Sequence, residues 1–270
     1  MSQWPIFVLS LASAQNRRAD ITEQFALLGL DFQFIDATDG RQGLPPELES
    51  MVDRTGTLAQ SGFRMSDGEY ACAITHQLAY ARIIDENLPG AIILEDDAVL
   101  TWLFRDFYAS AQYQAGDLIQ LYHYNGTTHA RRPRAGGPLQ LMRLASNSWM
   151  AVGYSISRHG AEAMRRHSLP LRARADWPCD TFRIMRHYVT TPRAVLHPVP
   201  TARQSTISKD SFPTDFDFSQ GYAKGWRRLL SAASWGRLLR RPFRRKLDPG
   251  RAPTPEERAQ LVSERYQAVL

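Results

Sequence analysis

Ala91-Ile92-Ile93-Leu94-Glu95-Asp96-Asp97-Ala98-Val99-Leu100 is an apolar run that ends in three consecutive carboxylates and then turns apolar again. Its first four residues have the length and character of a buried strand. A buried strand that delivers three acids to one sheet edge places like charges within a few ångströms of each other. That is costly unless a cation or a proton neutralises them. Side chains alternate along an extended chain, so Glu95 and Asp97 are expected on one face and Asp96 on the other. An acid-x-acid pair on one face suits a hard divalent cation that takes oxygen ligands. A solvated turn after the strand is the alternative reading of the same residues.

Working outward, strands and helices alternate. Ile6 to Leu11 is an apolar run of strand length, and Arg17 to Leu28 carries a helical period through Ile21, Phe25 and Leu28 that stops at Gly29. Phe32 to Ile35 reads as a second strand. Ser66-Asp67-Gly68-Glu69 is a capping box that opens a helix through Ile74, Leu78 and Ile84, ending before Pro89-Gly90. Past the acidic strand, the pattern predicts helices near 103–113, from His159 and from about Asp180. It predicts strands at 117–123, 149–157 and 193–196. Such alternation implies an α/β layer structure with a largely parallel sheet. In such sheets ligands bind beyond the carboxyl ends of the strands, so the loops after Leu11, after Ile35 and at Glu95–Asp97 should converge. Arg17 and Arg18 suit an anionic group there, and Asp36 and Asp39 could accept bonds from a base or ribose. A solvated helix face and a plain turn are the competing readings. The chain has no GxGxxG or Walker sequence, so neither a dinucleotide fold nor a P-loop is supported.

At 270 residues the chain can bury one large core or two small ones. No stretch approaches the roughly 20 apolar residues of a membrane-spanning helix. Met1-Ser2-Gln3-Trp4-Pro5-Ile6 lacks the basic and long apolar regions of a signal peptide, so a cytoplasmic protein is expected. Its two cysteines, Cys72 and Cys179, read as reduced thiols; no CxxC or Cys/His metal site is apparent, and zinc is not expected.

The net charge of +6 is concentrated. Between Phe218 and Leu247 there is no acid, while Lys224, Arg227, Arg228, Arg237, Arg240, Arg241, Arg244, Arg245 and Lys246 supply nine positive charges, leaving −3 for the remainder. Trp226, Leu229, Leu230, Trp235, Leu238, Leu239 and Phe243 are interleaved with them, several at helical spacing. That composition fits an interfacial helix on an anionic membrane, a basic helix docked on the body, or a nucleic-acid patch. Pro242 should interrupt the helix. A linker from Asp248 to Pro255 then precedes a short terminal helix.

Taken in order, several pieces resemble glycosyltransferase family 25. They are Val8-Leu9-Ser10-Leu11, Arg17-Arg18, Phe34-Ile35-Asp36-Ala37, Gly68-Glu69-Tyr70-Ala71-Cys72-Ala73-Ile74-Thr75-His76 and Ile93-Leu94-Glu95-Asp96-Asp97. Gly153 to Ala161, Asp180, His197-Pro198-Val199-Pro200 and Gln204-Ser205 continue the likeness, which spans about residues 5 to 210. Thr75 stands where family members usually carry serine. The family includes bacterial lipopolysaccharide and lipo-oligosaccharide transferases and collagen-type galactosyltransferases.

The resemblance implies a GT-A-like, Rossmann-type fold: a mixed, mostly parallel sheet flanked by helices over residues 1–215, with a basic helical extension at 216–270. It implies an inverting transfer of a hexose, with galactose the family-level expectation, from a UDP-sugar to a saccharide or glycolipid acceptor. A divalent metal, Mn2+ or Mg2+, would bridge the donor diphosphate. Asp97, Glu95 and His197 are the candidate ligands, although His197 also reads as a satisfied histidine beside Pro198. Ser10, Arg17, Asp36, His76, Glu95 and Asp96 are placed near the donor. For the acceptor, Asp180 is the first candidate base and Asp176 the second, with Trp177 between them offering an apolar face for a sugar ring. Asp180 as an ordinary helix N-cap is the plain alternative. The basic loop Arg131 to Gly137 reads either as a lid over the donor phosphates or as a solvated loop. The expected setting is the cytoplasmic face of the inner membrane, reached through residues 218–247, with no nucleic acid. Two other classes remain open: a non-catalytic sugar-nucleotide-binding protein, and a metal-dependent nucleotidyltransferase or hydrolase acting on nucleic acid.

Overall fold

Strand β1 (Ile6–Ser10) is buried along its whole length, as a strand covered on both faces must be. The protein is seen here in a computed structural model that describes residues 3–62, 64–130, 133–134, 137–198, 244–247, 252–268 and 270. After β1 come α1 (Gln15–Leu28), β2 (Gln33–Asp36), α2 (Arg54–Ser61), α3 (Asp67–Asp85) and β3 (Gly90–Glu95). Next are β4 (Val99–Leu100), α4 (Trp102–Ala109), β5 (Leu118–Gln120), β6 (Thr127–His129), β7 (Gln140–Ser146) and β8 (Gly153–Ser157). The chain continues through α5 (Arg158–Ser168), α6 (Thr181–Ile184), β9 (His187–Thr191), β10 (Val195–Leu196), β11 (Arg244–Lys246) and α7 (Pro255–Arg258).

Among the described residues the strands form a nine-stranded mixed sheet, β11-β6-β7-β9-β5-β8-β3-β1-β2, and a small β10-β4 pair. The pairs β1–β2, β1–β3 and β5–β9 are parallel, whereas β8 runs antiparallel to both β3 and β5. Beyond β9 the sheet continues antiparallel through β7, β6 and β11.

Alternation along β1 and β3 divides the core. Ile6, Val8, Ile92 and Leu94 pack with Ile21, Phe25 and Leu28 of α1 and with Phe104 and Phe107 of α4. On the other face, Phe7, Leu9, Ala91 and Ile93 meet Ala79, Tyr80 and Ile83 of α3 and Ala161 and Met164 of α5. Local signals act as expected. Gly29 ends α1 in the left-handed conformation at φ 66°, which costs glycine nothing. Ser66 and Glu69 close the capping box of α3.

Other boundaries moved for tertiary reasons. The helix expected at 103–113 stops at Ala109 because the chain reverses through Ala111 at φ 53°, and the Gln112 amide then bonds both backbone groups of Leu139. The strand expected at 193–196 is the two-residue β10, paired with β4, and the sheet strand lies earlier, at β9.

Parts of the expected C-terminal extension are built into the body. β11 pairs with β6, and Leu247 N donates to Gly126 O at 2.9 Å. α7 carries its own Thr254/Glu257 capping box, and Glu257 forms a buried bidentate pair with Arg193 at 2.6 and 2.9 Å. Trp102 N donates to Gln260 O at 2.8 Å, and Arg265 pairs with Asp20 and Glu23 of α1 at 2.8 and 3.2 Å. The basic amphipathic segment up to residue 243, its break at Pro242, the linker's first residues 248–251, Val199-Pro200, Gln204-Ser205 and residues 131, 132, 135 and 136 of the basic loop lie outside the described residues. No described helix is long and apolar enough to cross a membrane.

Candidate active site

The parallel register sets Ser10 beside Asp36 and Leu9 beside Glu95, so β1, β2 and β3 end on one edge, where α1 begins. The acid triplet is distributed there differently from strict alternation. β3 ends at Glu95, and the chain turns at once, with Ala98 N donating to Glu95 O at 3.1 Å. Asp96 and Asp97 therefore share a partner, Arg17 of α1, whose guanidinium lies 3.1 Å from Asp96 and 3.8 Å from Asp97. Glu95 leans the other way, toward His76 Nε2 at 3.3 Å. Alternation required a strand through Asp97, and the strand is two residues too short.

Asp96 is tied to the β1 end, since Ser10 Oγ donates to it at 2.7 Å. Burial pushes its carboxyl up and Asp97 adds to this, outweighing the hydrogen bond from Ser10 and the charge of Arg17. For Asp97 the balance reverses. Burial alone would raise it, but the hydrogen bond and charge of His197, with Arg17, hold it below the usual carboxylate value. His197 arrives from the end of β10, with Nε2 at 3.3 Å from Asp97 Oδ2. Burial would lower its value, and Asp97, helped by Glu95 and Asp176, raises it instead.

The residues present fit a hard cation. Asp97 Oδ1 is buried and has no hydrogen-bond partner among the described residues, an uncommon state for a carboxylate oxygen and a suitable one for a ligand atom. Four carboxylates, Glu95, Asp96, Asp97 and Asp176, bear on this edge against Arg17 and His197. Such a field favours a divalent ion.

Asp36 accepts a short bond from Arg18 and is 74% exposed, with Arg18 itself lying 4.5 Å from the Phe34 ring centroid. His76 is buried, with Nδ1 on the Tyr154 hydroxyl at 2.7 Å, and Tyr80 stands behind Tyr154 at 2.8 Å. Thr75 does what a serine would do at its place: its hydroxyl accepts from Thr38 N at 3.0 Å and tethers the loop after β2 to α3.

The two candidate bases separate. Asp176 is open to solvent, yet enough protein surrounds it that burial raises its carboxyl, and Glu95 raises it further. Its Oδ1 accepts from Ala151 N at 2.9 Å, which holds it beside the start of β8, and β8 pairs with β3 up to the triplet. Asp180 does precede α6, but its side chain caps nothing; it is 57% exposed and pairs with Arg183 at 3.2 Å. Trp177 offers no free face. It is buried between Tyr154 and His187, ring centroids 5.2 and 5.3 Å away, and the chain passes through φ 63° to put it there. Its neighbours Asn147 and Thr181 brace the loop: Asn147 donates to Cys179 O at 2.7 Å and accepts from Thr181 at 2.8 Å. Among the described residues the exposed aromatic is Trp149 instead, two residues before the Ala151 that holds Asp176. Nothing in its local sequence, Ser148-Trp149-Met150, marked it.

With this geometry in place, the chain can be set beside known proteins. The lacto-N-neotetraose biosynthesis glycosyltransferase LgtB of Neisseria meningitidis is 30% identical over 162 residues, 56% of each chain. The lipooligosaccharide biosynthesis protein lic2B of Haemophilus influenzae is 26% identical over 172 residues, 60% of this chain and 62% of that one. A second N. meningitidis protein, the lacto-N-neotetraose biosynthesis glycosyltransferase LgtE, is 31% identical over 175 residues, 58% and 57% of the two chains. The present chain thus spans between 56% and 62% of the length of these relatives. Among solved structures, mannose-1-phosphate geranyltransferase from Thermus thermophilus covers 70% of this chain and 74% of its own, with a TM-score of 0.36 and 11% identity, a likeness too loose to decide fold or chemistry. The sequence profile of glycosyltransferase family 25 (LPS biosynthesis protein) matches residues 3–182, two thirds of the chain and every element that builds the acidic edge except β10 with His197. The chain belongs to that family.

Proposed function

We propose that the protein is an inverting, metal-assisted glycosyltransferase that moves a hexose, galactose by family expectation, from a UDP-sugar to a saccharide acceptor of lipopolysaccharide or lipo-oligosaccharide. The observation that carries this reading is the buried Asp97 Oδ1, without a hydrogen-bond partner among the described residues, beside His197 at the edge where β1, β2 and β3 end. Asp97 and His197 would hold Mn2+ or Mg2+, with Glu95 adjacent. A cation there neutralises charge developing on the departing diphosphate. Arg17, already paired with Asp96 and Asp97, is placed to meet the donor's phosphates, while Ser10 keeps Asp96 oriented. Asp36 and Arg18 flank the position for a ribose or base.

An inverting displacement needs a group to take the proton of the acceptor hydroxyl. Asp176 suits that role better than Asp180, because burial and the charge of Glu95 raise its affinity for a proton. Asp180 is the alternative, and substitution separates the two. Asp176→Asn should lower kcat for transfer about 10²-fold while leaving donor binding nearly unchanged, and Asp180→Asn should change kcat less than threefold. The reverse ranking, measured with a saccharide acceptor and UDP-galactose, would assign the base to Asp180. A panel of nucleotide sugars scored by thermal shift with and without manganese identifies the donor. No manganese-dependent shift with any of them would sink the proposal.

Association with an anionic membrane through residues 218–247 belongs to the same reading, supported by nine cations and no acid in that stretch. Truncation from 218 is a poor test, because residues 244–247 and 252–268 pack into the body. Replacing Arg237, Arg240 and Arg241 by serine should weaken binding to phosphatidylglycerol vesicles about 100-fold, at roughly 1 kcal/mol per cation, and spare donor hydrolysis. Equal vesicle binding by the variant, in a sedimentation assay at low salt, would remove the membrane from the account.

A further inference from the structure

On the α3 helix Cys72 has no place in the donor reading, and His76, set near the donor by the resemblance, takes no chemical step there. Cys72 and His76 are four residues apart and so lie on one helix face. Glu95 approaches them from the end of β3. One donor atom from each, a thiol sulfur, an imidazole nitrogen and a carboxylate oxygen, lies within 4.8 Å of the other two. We propose that Cys72, His76 and Glu95 form a second cation site, selective for a thiophilic divalent ion of the zinc class.

Three features support a site rather than an accidental grouping. His76 is 3% exposed and its Nδ1 is held by the Tyr154 hydroxyl at 2.7 Å, which leaves Nε2 directed at Glu95. A ligating histidine is usually fixed in this way, through its other ring nitrogen. The spacing is also suitable: zinc–ligand bonds of about 2.0–2.3 Å set tetrahedral ligands roughly 3.3–3.8 Å apart, and His76 Nε2 to Glu95 Oε1 is 3.3 Å. Finally, burial first, and then the charges of Glu95, Asp176, Asp97 and Asp96, keep the Cys72 thiol protonated while no cation is near, and the same four carboxylates draw a cation toward it. Cys72 and Glu95 are both partly exposed, so an ion can reach them and keep a fourth position for water.

The donor set decides the metal class. Thiolate and imidazole ligands favour zinc over magnesium or manganese, whereas Asp97 with its neighbouring carboxylates favours the harder ions. Binding replaces the S–H bond of Cys72 by an S–metal bond and releases that proton to solvent. His76 then carries its ring proton on Nδ1 and donates to the Tyr154 oxygen. The chain alone shows no Cys/His metal site, and zinc was not expected from it, because only the fold brings Glu95 to Cys72 and His76 as a third ligand. Glu95 stands between this site and the Asp97 position, so zinc bound here would withdraw it from the donor side.

Cobalt is a spectroscopic substitute for zinc and reports thiolate ligation directly. In a Cys179→Ser background, titrating the metal-free protein with Co2+ should give a thiolate-to-cobalt charge-transfer band, saturating at one ion per chain and bleached by equimolar Zn2+. The band should vanish in Cys72→Ser and persist in Asp97→Asn. No band in the parent, or an undiminished band in Cys72→Ser, would overturn the proposal. If Cys72→Ser does not fold, the parent still decides: Zn2+ should slow alkylation of Cys72 at least tenfold, and an unchanged rate would refute the site. Because Asp97→Asn keeps the band, failure here leaves the donor-site reading standing, and loss of that reading leaves this one standing.

Discussion

Asp97→Asn should lower metal-dependent release of UDP from a UDP-hexose by about 10²–10³-fold, the range expected when one group that stabilises developing charge is removed from an enclosed site. The substitution keeps the side chain's volume and its Oδ1, but it removes the charge that draws both His197 and Arg17 to this edge. Two consequences coincide: a ligand oxygen loses most of its affinity for a cation, and His197 loses its partly buried counter-charge. The protein should remain folded, because neither residue belongs to the two large core clusters. Steady-state release of UDP at saturating manganese, together with far-ultraviolet circular dichroism, makes the measurement. Undiminished activity in a folded variant would show that no catalytic metal uses Asp97.

Glu257→Ala should destabilise the protein by about 3–5 kcal/mol, the usual effect of removing one partner from a buried ion pair. Glu257 and Arg193 are 5% and 6% exposed, and the carboxylate accepts from the Arg193 backbone as well as its guanidinium. Truncation would leave a buried guanidinium facing an alanine. It would also open the capping box of α7. Burial acts to raise the Glu257 carboxyl, but Arg193 and two backbone amides hold it below the ordinary value. A carboxyl depressed in the folded state contributes stability at neutral pH, and that contribution disappears as pH falls below about 4.3 toward the folded-state value. The wild type should therefore lose more stability than Glu257→Ala on acidification through that window, as read from urea unfolding at each pH. Parallel losses in the two proteins would contradict a role for the pair. The effect should extend to the acidic edge, because Arg193 begins the segment that carries β10 and delivers His197.

Much of the architecture was legible because it depends on neighbours in sequence. The periods of α1 and α3, the Ser66/Glu69 capping box, the stop at Gly29 and the apolar runs of β1 and β3 are local patterns. The structure forms each of them within a few residues of its expected place. The end of β3 as an acidic locus was equally plain. Strands β6, β7 and β9 were not, because Thr127–His129, Gln140–Ser146 and His187–Thr191 become sheet only by pairing with strands distant in the chain.

The site's internal assignments were beyond sequence reasoning for the same reason. Asp176 and Asp180 are four residues apart in one loop, and no local feature ranks them. A backbone bond from Ala151 turns Asp176 toward Glu95, and a surface pair with Arg183 occupies Asp180. Trp177 reads as an apolar face for a sugar ring but is buried on Tyr154. The sequence by itself determined that an α/β chain would present three acids at the end of a buried strand, since period and burial are set by adjacent residues. Only the tertiary structure decided which of those acids faces Arg17, which faces His76, and which distant residues, His197 and Asp176, join them. Those contacts join residues up to 100 positions apart, a separation across which spacing carries no directional information.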